Sequence, residues 1–306
     1  MKKINCRIGI DLGGTKIESI VIDYDGNEIY RKRIPNPNND YNGTLKSIKD
    51  LVHQSESETG LYGTIGIGIP GIISKQTNLV KNANTTVLIG KSLDKDLELI
   101  LGRPVRLAND ANCLALSEYI DGSGEQYNSL FGVILGTGVG GGLVIDGKIF
   151  PGANLISGEW GHNPLPWPDL NELPGDECYC GLSGCIETFL SGPGLENTFY
   201  KITGETVSAN IISEKIQNND QDAIKAIELY ENRLARGLAI VVNILDPEII
   251  VLAGGVSNIR RLYSNVKNIW NKYIISTDED VVTPIVQAKH GDSSGVRGAA
   301  WLWPEL

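Results

Sequence analysis

Three cysteines and one histidine form the most specific chemical motif of the sequence. Cys178, Cys180 and Cys185 follow the pattern C-x-C-x4-C, and His162 ends a Gly-Glu-Trp-Gly-His turn upstream of them. Thiolate sulfur and imidazole nitrogen are preferred zinc ligands, and this set closes a tetrahedral site that leaves no position for water. The sequence therefore predicts a structural Zn²⁺ on these four residues. Because segment 158–187 is rich in proline, which disfavours regular structure, we expect the metal to hold it in shape.

Two glycine turns, each between two strand-like runs, are candidate phosphate-binding loops. The first spans residues 11–16 (DLGGTK) and the second spans residues 136–138 (GTG). Glycine lets backbone N–H groups approach a phosphate closely, and a threonine hydroxyl adds a further donor. One such turn alone would also suit a plain hairpin, whereas two of them indicate a nucleotide bracketed between them.

A carboxylate and a further glycine pair complete the candidate nucleotide site. The carboxylate of Asp11 suits a magnesium ion and its waters. Gly254 and Gly255 follow a buried strand-like run and suit a close approach to an adenosine, although a tight turn is the alternative interpretation. The predicted nucleotide-binding residues are Asp11, Gly13, Gly14, Thr15, Lys16, Gly136, Thr137, Gly138, Gly254 and Gly255.

Asp110 is the candidate general base. It follows the short strand-like run Val105-Arg-Leu and opens a helix near Ala111, with the amide of Asn109 beside it. Helix capping is the alternative role for an acidic residue in that place. Phosphoryl transfer needs magnesium, donors around the phosphate and a base that accepts the hydroxyl proton. A carboxylate close to the hydroxyl can be that base.

The elements that must position these residues alternate between strands and helices, which is typical of an α/β fold. A strand–turn–strand–turn–strand unit occurs at residues 7–33 and again at 131–150, which indicates a duplicated domain. We place one domain at residues 1–120, joined by a C-terminal helix within 292–306, and the other at 121–291. Helices are predicted at residues 41–58, 93–101, 111–120, 222–245 and 296–303, buried strands at 63–69 and 249–253, and a short strand at 105–107.

The composition argues against several classes of protein. Hydrophobic residues make up 41% and charged residues 21% of the chain, as in ordinary globular proteins, and no apolar run is long enough to span a bilayer. The polar residues 1–6 lack the apolar core of a signal peptide, so we expect a cytoplasmic protein. The net charge of −10, without a cluster of basic residues, argues against a nucleic-acid partner.

Taken together, the motifs resemble those of the ROK family of sugar kinases and repressors. They are residues 68–71 (GIPG), 109–110 (ND), 158–162 (GEWGH), 178–187 (CYCGLSGCIE) and 291–300 (GDSSGVRGAA). The resemblance covers essentially the whole chain. It implies the actin-like, hexokinase-like ATPase fold, in which two duplicated βα domains close around a cleft over ATP and a sugar.

The resemblance also implies roles for individual residues. Asp110 matches the catalytic aspartate of the family, and the zinc ion of the family is structural and orients neighbouring sugar-binding residues. ATP, Mg²⁺ and structural Zn²⁺ are the expected cofactors, and a homodimer is the expected assembly. The residues that match the sugar-binding positions are Gly71, Asn84, Asn109, Asp110, Glu159, His162 and Glu187.

The acceptor sugar is the least determined part of this prediction. Residues 158–167 and 81–86 most resemble bacterial fructokinases, some of which also accept mannose, so the expected product is fructose 6-phosphate. An N-acetylglucosamine or N-acetylmannosamine kinase, or a glucokinase, is the alternative within the family. A sugar-responsive repressor would need a DNA-binding domain before Ile8, which the sequence does not offer. The zinc segment and the sugar-binding residues argue against a non-catalytic actin-like assembly module.

Overall fold

The computed structural model describes residues 3–37, 39–83, 85–276 and 279–303. Asn84, a predicted sugar-binding residue, lies outside the described residues. No helix within these ranges is long and apolar enough to cross a lipid bilayer.

The chain divides into two compact units. The first contains the residues up to Gln126, the segment Gly142–Ser157 and the residues from Asp292 onward, and the second contains Tyr127–Gly141 and Gly158–Gly291. The sequence places Gly142–Ser157 in the second domain, whereas this division groups it with the first unit. The domain boundary near residue 120 stays a prediction.

Strands and helices alternate along the described chain, as the sequence predicts. The strands are β1 (Cys6–Leu12), β2 (Lys16–Ile22), β3 (Glu28–Pro35), β4 (Gly63–Ile69), β5 (Ile72–Ile73), β6 (Val80–Lys81), β7 (Val105–Asn109), β8 (Ser129–Leu135), β9 (Val139–Ile145), β10 (Lys148–Ile149), β11 (Ile249–Ala253) and β12 (Ile285–Gln287). The helices are α1 (Tyr41–Thr59), α2 (Leu93–Leu101), α3 (Asp110–Ile120), α4 (Ile186–Leu190), α5 (Gly192–Thr203), α6 (Ala209–Gln217), α7 (Gln221–Leu245), α8 (Leu262–Trp270) and α9 (Ser294–Ala300).

The first sheet has the strand order β3-β2-β1-β4-β7. Strands β1, β4 and β7 are parallel, whereas β2 and β3 pair antiparallel with their neighbours. Every residue of β4 is buried, as expected for a parallel strand covered on both faces. The register places Asp11 opposite Gly68, and Ile69 opposite Asn109. The carboxyl ends of β1, β4 and β7 therefore meet at one edge of the sheet, which carries Asp11 and Asn109.

The second sheet repeats this order as β10-β9-β8-β11-β12. Strands β8, β11 and β12 are parallel, and β9 pairs antiparallel with β10. The turn between β9 and β10 has positive φ angles at Asp146 (48°) and Gly147 (75°), as a two-residue hairpin turn requires. The repeated order confirms the duplicated α/β unit predicted from the sequence.

The C-terminal helix α9 lies directly on the first sheet. A side chain at Gly9 would come within 2.1 Å of the carbonyl oxygen of Val296, and one at Gly66 within 1.8 Å of that of Ala299. Glycine at these strand positions therefore allows the helix backbone to reach the sheet. The sequence predicted this helix at 296–303, but it begins at Ser294 and ends at Ala300. The chain turns after Ala300, and the indole nitrogen of Trp303 donates to the carbonyl oxygen of Ile65 (2.7 Å).

Local capping explains why the other predicted helices form where they do. The Asp40 side chain accepts a hydrogen bond from the amide of Gly43 at the start of α1, and Gly60 ends the helix with a φ of 70°. Asp220 caps α7 in the same way, and α7 ends at Asp246 (φ 43°). Helices α1, α2, α3 and α7 confirm the predicted segments within one or two residues. The sequence does not predict helices α4, α5, α6 and α8.

Candidate active site and metal centre

His162 and the three clustered cysteines converge in the second unit. Their ligand atoms all lie within 4.8 Å of one another. The Nδ1 atom of His162 is 3.5 Å from the Sγ atom of Cys178, and the Sγ atoms of Cys180 and Cys185 are 3.6 Å apart. In a tetrahedral zinc site, sulfur–nitrogen edges are about 3.5 Å and sulfur–sulfur edges about 3.8 Å. The four residues therefore fit Zn²⁺ in chemistry, and these two distances match the edges of a tetrahedral site.

Backbone hydrogen bonds bring the distant histidine to the cysteines. The amide of Ile186 donates to the carbonyl oxygen of Asn163, and the amide of Leu165 donates to that of Gly184, each over 2.9 Å. These bonds hold the residues after His162 against the residues around Cys185. Because both ligands sit on paired backbone, the metal-binding arrangement is set by the fold of the segment.

A buried ion pair also holds the proline-rich segment. Glu172 accepts hydrogen bonds from Arg233 (2.7 Å) and from Arg236 (2.8 and 2.9 Å), and both arginines lie on α7. Arg236 further donates to the carbonyl oxygens of Pro166 and Trp167. From the sequence, only the metal is expected to support this segment. The burial of these charged residues is not predictable from the sequence, because charged side chains are normally exposed.

Two carboxylates lie beside the metal-binding cluster. The Oε2 atom of Glu187 accepts a hydrogen bond from the amide of Val139 (2.9 Å). Burial raises the pKa of the Glu159 carboxyl, while the charge of His162 lowers it and that of Glu187 raises it. Burial, followed by the charges of Glu187 and Glu159, raises the pKa of the Tyr179 hydroxyl above its usual value. The predicted sugar-binding residues of the second unit are therefore neighbours.

The second glycine turn adjoins the same carboxylate. A side chain at Gly138 would come within 2.7 Å of the Oε2 atom of Glu187. The amide of Gly136 donates across the turn to the carbonyl oxygen of Gly138 (3.0 Å), and Thr137 is exposed at the tip. The hydroxyl of Thr137 is thus accessible to a ligand, whereas the Gly136 amide is already bonded within the turn.

The Gly254-Gly255 pair lies next to this turn. Gly254 has a φ of 85°, and a side chain there would come within 2.5 Å of the carbonyl oxygen of Leu135. Both its conformation and its close packing therefore require glycine. A side chain at Gly255 would meet no atom within 4 Å. The structure thus brings the 136–138 turn and the glycine pair together in the second unit.

Hydrogen bonds within the turn and from Asn36 hold the first glycine turn. The amide of Gly13 donates to the carbonyl oxygen of Lys16 (3.0 Å), and the side chain of Asn36 donates to the carbonyl oxygen of Gly13 (2.8 Å). Gly14, Thr15 and Lys16 are exposed. The groups of this turn that a phosphate could reach are therefore those of residues 14–16.

Asp11 and Asp110 lie at the sheet edge in the first unit. Burial raises the pKa of the partly buried Asp11 carboxyl to about 7, and the negative charges of Asp110 and Glu18 add to the effect. Asp110 is the first residue of α3, and its Oδ1 atom accepts a hydrogen bond from the amide of Ala111 (2.8 Å). Burial and the neighbouring carboxylates disfavour the negative charge of Asp11, so a bound cation would stabilise its ionised form.

Asn109, rather than Asp110, is the N-cap residue of α3. Its Oδ1 atom accepts hydrogen bonds from the amides of Ala111 (2.9 Å) and Asn112 (3.4 Å). The capping role considered for Asp110 is thus filled by its neighbour, whose side-chain nitrogen is the atom that could donate to a ligand. Gly71 is closely packed, since a side chain there would come within 2.9 Å of Ala83. Gly71, Asn109 and Asp110 all belong to the first unit.

Comparisons with known proteins agree on one family. The sequence model of the ROK family matches residues 7–306 of this chain. An N-acetyl-D-glucosamine kinase of Haemophilus influenzae (strain 86-028NP) is 40% identical over 300 residues, which cover 96% of this chain and 98% of that protein.

Two crystal structures share the fold over nearly their whole length. The ROK hexokinase from Thermus thermophilus matches with a TM-score of 0.83 and 29% identity, covering 96% of each chain. A ROK family glucokinase from Streptomyces griseus, solved with glucose and AMPPNP, matches with a TM-score of 0.81 and 26% identity, covering 97% of this chain and 98% of that one. This chain therefore belongs to the ROK family and has the actin-like, hexokinase-like ATPase fold.

Proposed function

We propose that this chain is an ATP-dependent sugar kinase whose acceptor is N-acetyl-D-glucosamine. The observation that carries the proposal is the 40% identity, over nearly the full length of both chains, to the Haemophilus kinase of that name. The acceptor oxygen would be the 6-hydroxyl group of the sugar, as expected for the family from the sequence.

The choice of sugar differs from the first expectation drawn from the sequence. Motif resemblance favoured fructose, with mannose as a further substrate, and kept N-acetylglucosamine as the alternative. The similarity to the Haemophilus kinase favours that alternative, because it extends over the whole chain instead of two short motifs. Fructose therefore becomes one of the comparison substrates in the test.

Asp110 is the proposed general base of the reaction. The hydrogen bond from the amide of Ala111 to its Oδ1 atom orients the carboxylate at the start of α3. As the sugar oxygen bonds to the γ-phosphorus of ATP, its proton passes to the Asp110 carboxylate. The bond from that phosphorus to the oxygen of the departing ADP breaks, and the electron pair leaves with ADP.

Asp11 is the proposed partner of Mg²⁺. Its carboxyl lies at the end of β1, where burial and the charge of Asp110 raise its pKa to about 7. A bound magnesium ion would neutralise charge on the ATP phosphates. The exposed groups of residues 14–16 and the hydroxyl of Thr137 are the proposed phosphate donors, and Gly254 and Gly255 the proposed contact for adenosine.

The cysteine–histidine cluster is the proposed structural zinc site. Zn²⁺ bound there would fix one ring nitrogen of His162 and the start of α4, which carries Glu187. Glu159 and Glu187 would then bind hydroxyl groups of the sugar, whereas His162, which the sequence also predicts to bind sugar, would act as the metal ligand and contact Tyr179 through Nε2. The homodimer and the cytoplasmic location expected from the sequence stay predictions.

Initial rates of ADP release with Mg²⁺ and ATP test the proposed function. The acceptors to compare are N-acetylglucosamine, N-acetylmannosamine, glucose, fructose and mannose, with zinc-replete protein. The proposal expects the highest kcat/KM with N-acetylglucosamine. A higher value for fructose would restore the first expectation from the sequence. Absence of turnover with all five sugars would contradict the kinase function itself.

A further inference from the structure

Tyr179 contacts the candidate metal-binding histidine on the side away from the sulfur atoms. Its hydroxyl oxygen lies 2.9 Å from the Nε2 atom of His162. The two rings meet edge to face, with centroids 5.0 Å apart and planes at 86°. The tyrosine stands between Cys178 and Cys180 in the sequence, yet its side chain is 68% exposed. An exposed tyrosine held so specifically has a defined orientation and an accessible hydroxyl.

The direction of this hydrogen bond follows from the two nitrogen atoms of His162. The Nδ1 atom faces the Sγ atom of Cys178 at 3.5 Å, so it is the nitrogen available to a metal ion. A neutral imidazole that binds a metal through Nδ1 keeps its hydrogen on Nε2. The Nε2–H group then donates to the oxygen of Tyr179. The hydroxyl hydrogen of Tyr179 is left to donate elsewhere.

Two carboxylates lie in the neighbourhood of this hydroxyl. Glu159 and Glu187 are close enough for their charges to act on Tyr179. Carboxylates accept hydrogen bonds from sugar hydroxyl groups, which can donate. An amide carbonyl group can only accept a hydrogen bond, and an ionised carboxylate has no hydrogen to donate to it. A phenol, which is protonated at neutral pH, can provide the missing donor.

We propose that the hydroxyl group of Tyr179 donates a hydrogen bond to the acetamido carbonyl oxygen of the substrate. Tyr179 is then a specificity-determining residue, which favours an N-acetylated sugar over the corresponding plain hexose. The inference rests on the proposed function, because it names the group that recognises the N-acetyl substituent of the proposed acceptor.

Tyr179→Phe removes this hydroxyl and keeps the ring. Calorimetric titration of zinc-loaded protein should show the Kd for N-acetylglucosamine rising about tenfold, the effect of one lost hydrogen bond, with less than about a twofold change for glucose. Tyr200→Phe is the matched control, since Tyr200 is an exposed tyrosine on α5, and it should change neither Kd. Zinc content should equal that of the native chain in both variants.

Several results would overturn the inference. Equal losses of affinity for both sugars would show that Tyr179 does not distinguish them. Loss of zinc from Tyr179→Phe would show that the hydroxyl acts on the metal site instead. If the variant does not fold, a crystal structure of the native chain with N-acetylglucosamine decides, since the hydroxyl and the carbonyl oxygen must lie about 3 Å apart. Native protein that binds glucose but not N-acetylglucosamine would contradict the proposed function as well.

Discussion

Arg236 and Glu172 form a buried ion pair with two hydrogen bonds of 2.8 and 2.9 Å. Arg236 is 1% exposed and Glu172 is 7% exposed. Because Arg236 also donates to two carbonyl oxygens of the proline-rich segment, the pair attaches that segment to α7. The segment that supplies His162 and the three cysteines therefore has a support that is independent of any metal.

Arg236→Met tests the contribution of this pair to stability. The substitution leaves Glu172 with fewer partners and removes the donor from two carbonyl groups, so the free energy of unfolding should fall by about 3–5 kcal/mol. Chemical denaturation of metal-loaded protein measures it. Lys225→Met, an exposed change on the same helix, should alter stability by less than about 0.5 kcal/mol. A loss no larger than that of the control would show that the pair does not stabilise the fold.

Removal of the metal should affect both stability and sugar binding. Cys180→Ser replaces an exposed candidate ligand, so its effect cannot come from lost core packing. We expect the variant to lose zinc, its Tm to fall by about 5 °C or more, and its affinity for N-acetylglucosamine to weaken. Zinc analysis, calorimetry and sugar titration measure these effects. Ser183→Ala, an exposed change in the same loop, is the control. Full zinc occupancy in Cys180→Ser would remove this cysteine from the metal site.

Asp11 should make stability depend on pH. Its folded-state pKa of about 7 lies above the usual value of 3.8, so the folded chain keeps a proton that the unfolded chain releases. Without Mg²⁺, the contribution of Asp11 to stability is complete below pH 4 and is lost as the pH rises to 7. The free energy of unfolding should fall by roughly 2 kcal/mol. This is less than the full pKa shift would give, because Asp11 is only partly buried.

Asp11→Asn should flatten this dependence. Denaturation at pH 5 and pH 8 measures it, and Asp25→Asn, on an exposed turn, should keep the native slope. The same slope in Asp11→Asn as in the native chain would mean that Asp11 is not the titrating group.

Apolar patterning and capping signals made most of the fold predictable. Strand β4 is buried at every residue and appears in the sequence as a run of isoleucine and glycine with one threonine, and α1 and α7 begin at aspartate caps. Helix α5 carries comparable signals, although it is not among the predicted helices. Ser191 caps it, Pro193 lies in its first turn, and Gly204 ends it with a φ of 76°. These three residues would have predicted the helix.

The candidate site was predictable only in part. Residue types and spacing identified the four candidate metal ligands that the fold brings together, because metal ligation leaves a strong local pattern. The contact of Tyr179 with His162 left no such pattern, since it depends on how the chain folds back after residue 162. Likewise, the sequence could not tell that Asn109 caps α3, because both Asn109 and Asp110 have a suitable side chain.

Asp110 is the proposed acceptor of the sugar hydroxyl proton in the ATP-dependent kinase reaction. Asp110→Asn tests this role most directly, by ADP release and by calorimetric titration with N-acetylglucosamine. Asp222→Asn, on α7 with a side chain that is 49% exposed, is the control.

Asp110→Asn should bind the sugar with nearly native affinity and lose about 100-fold or more in kcat, because the base is missing while the amide can still hydrogen-bond. A kcat close to that of the native chain would contradict the assignment of Asp110 as the general base.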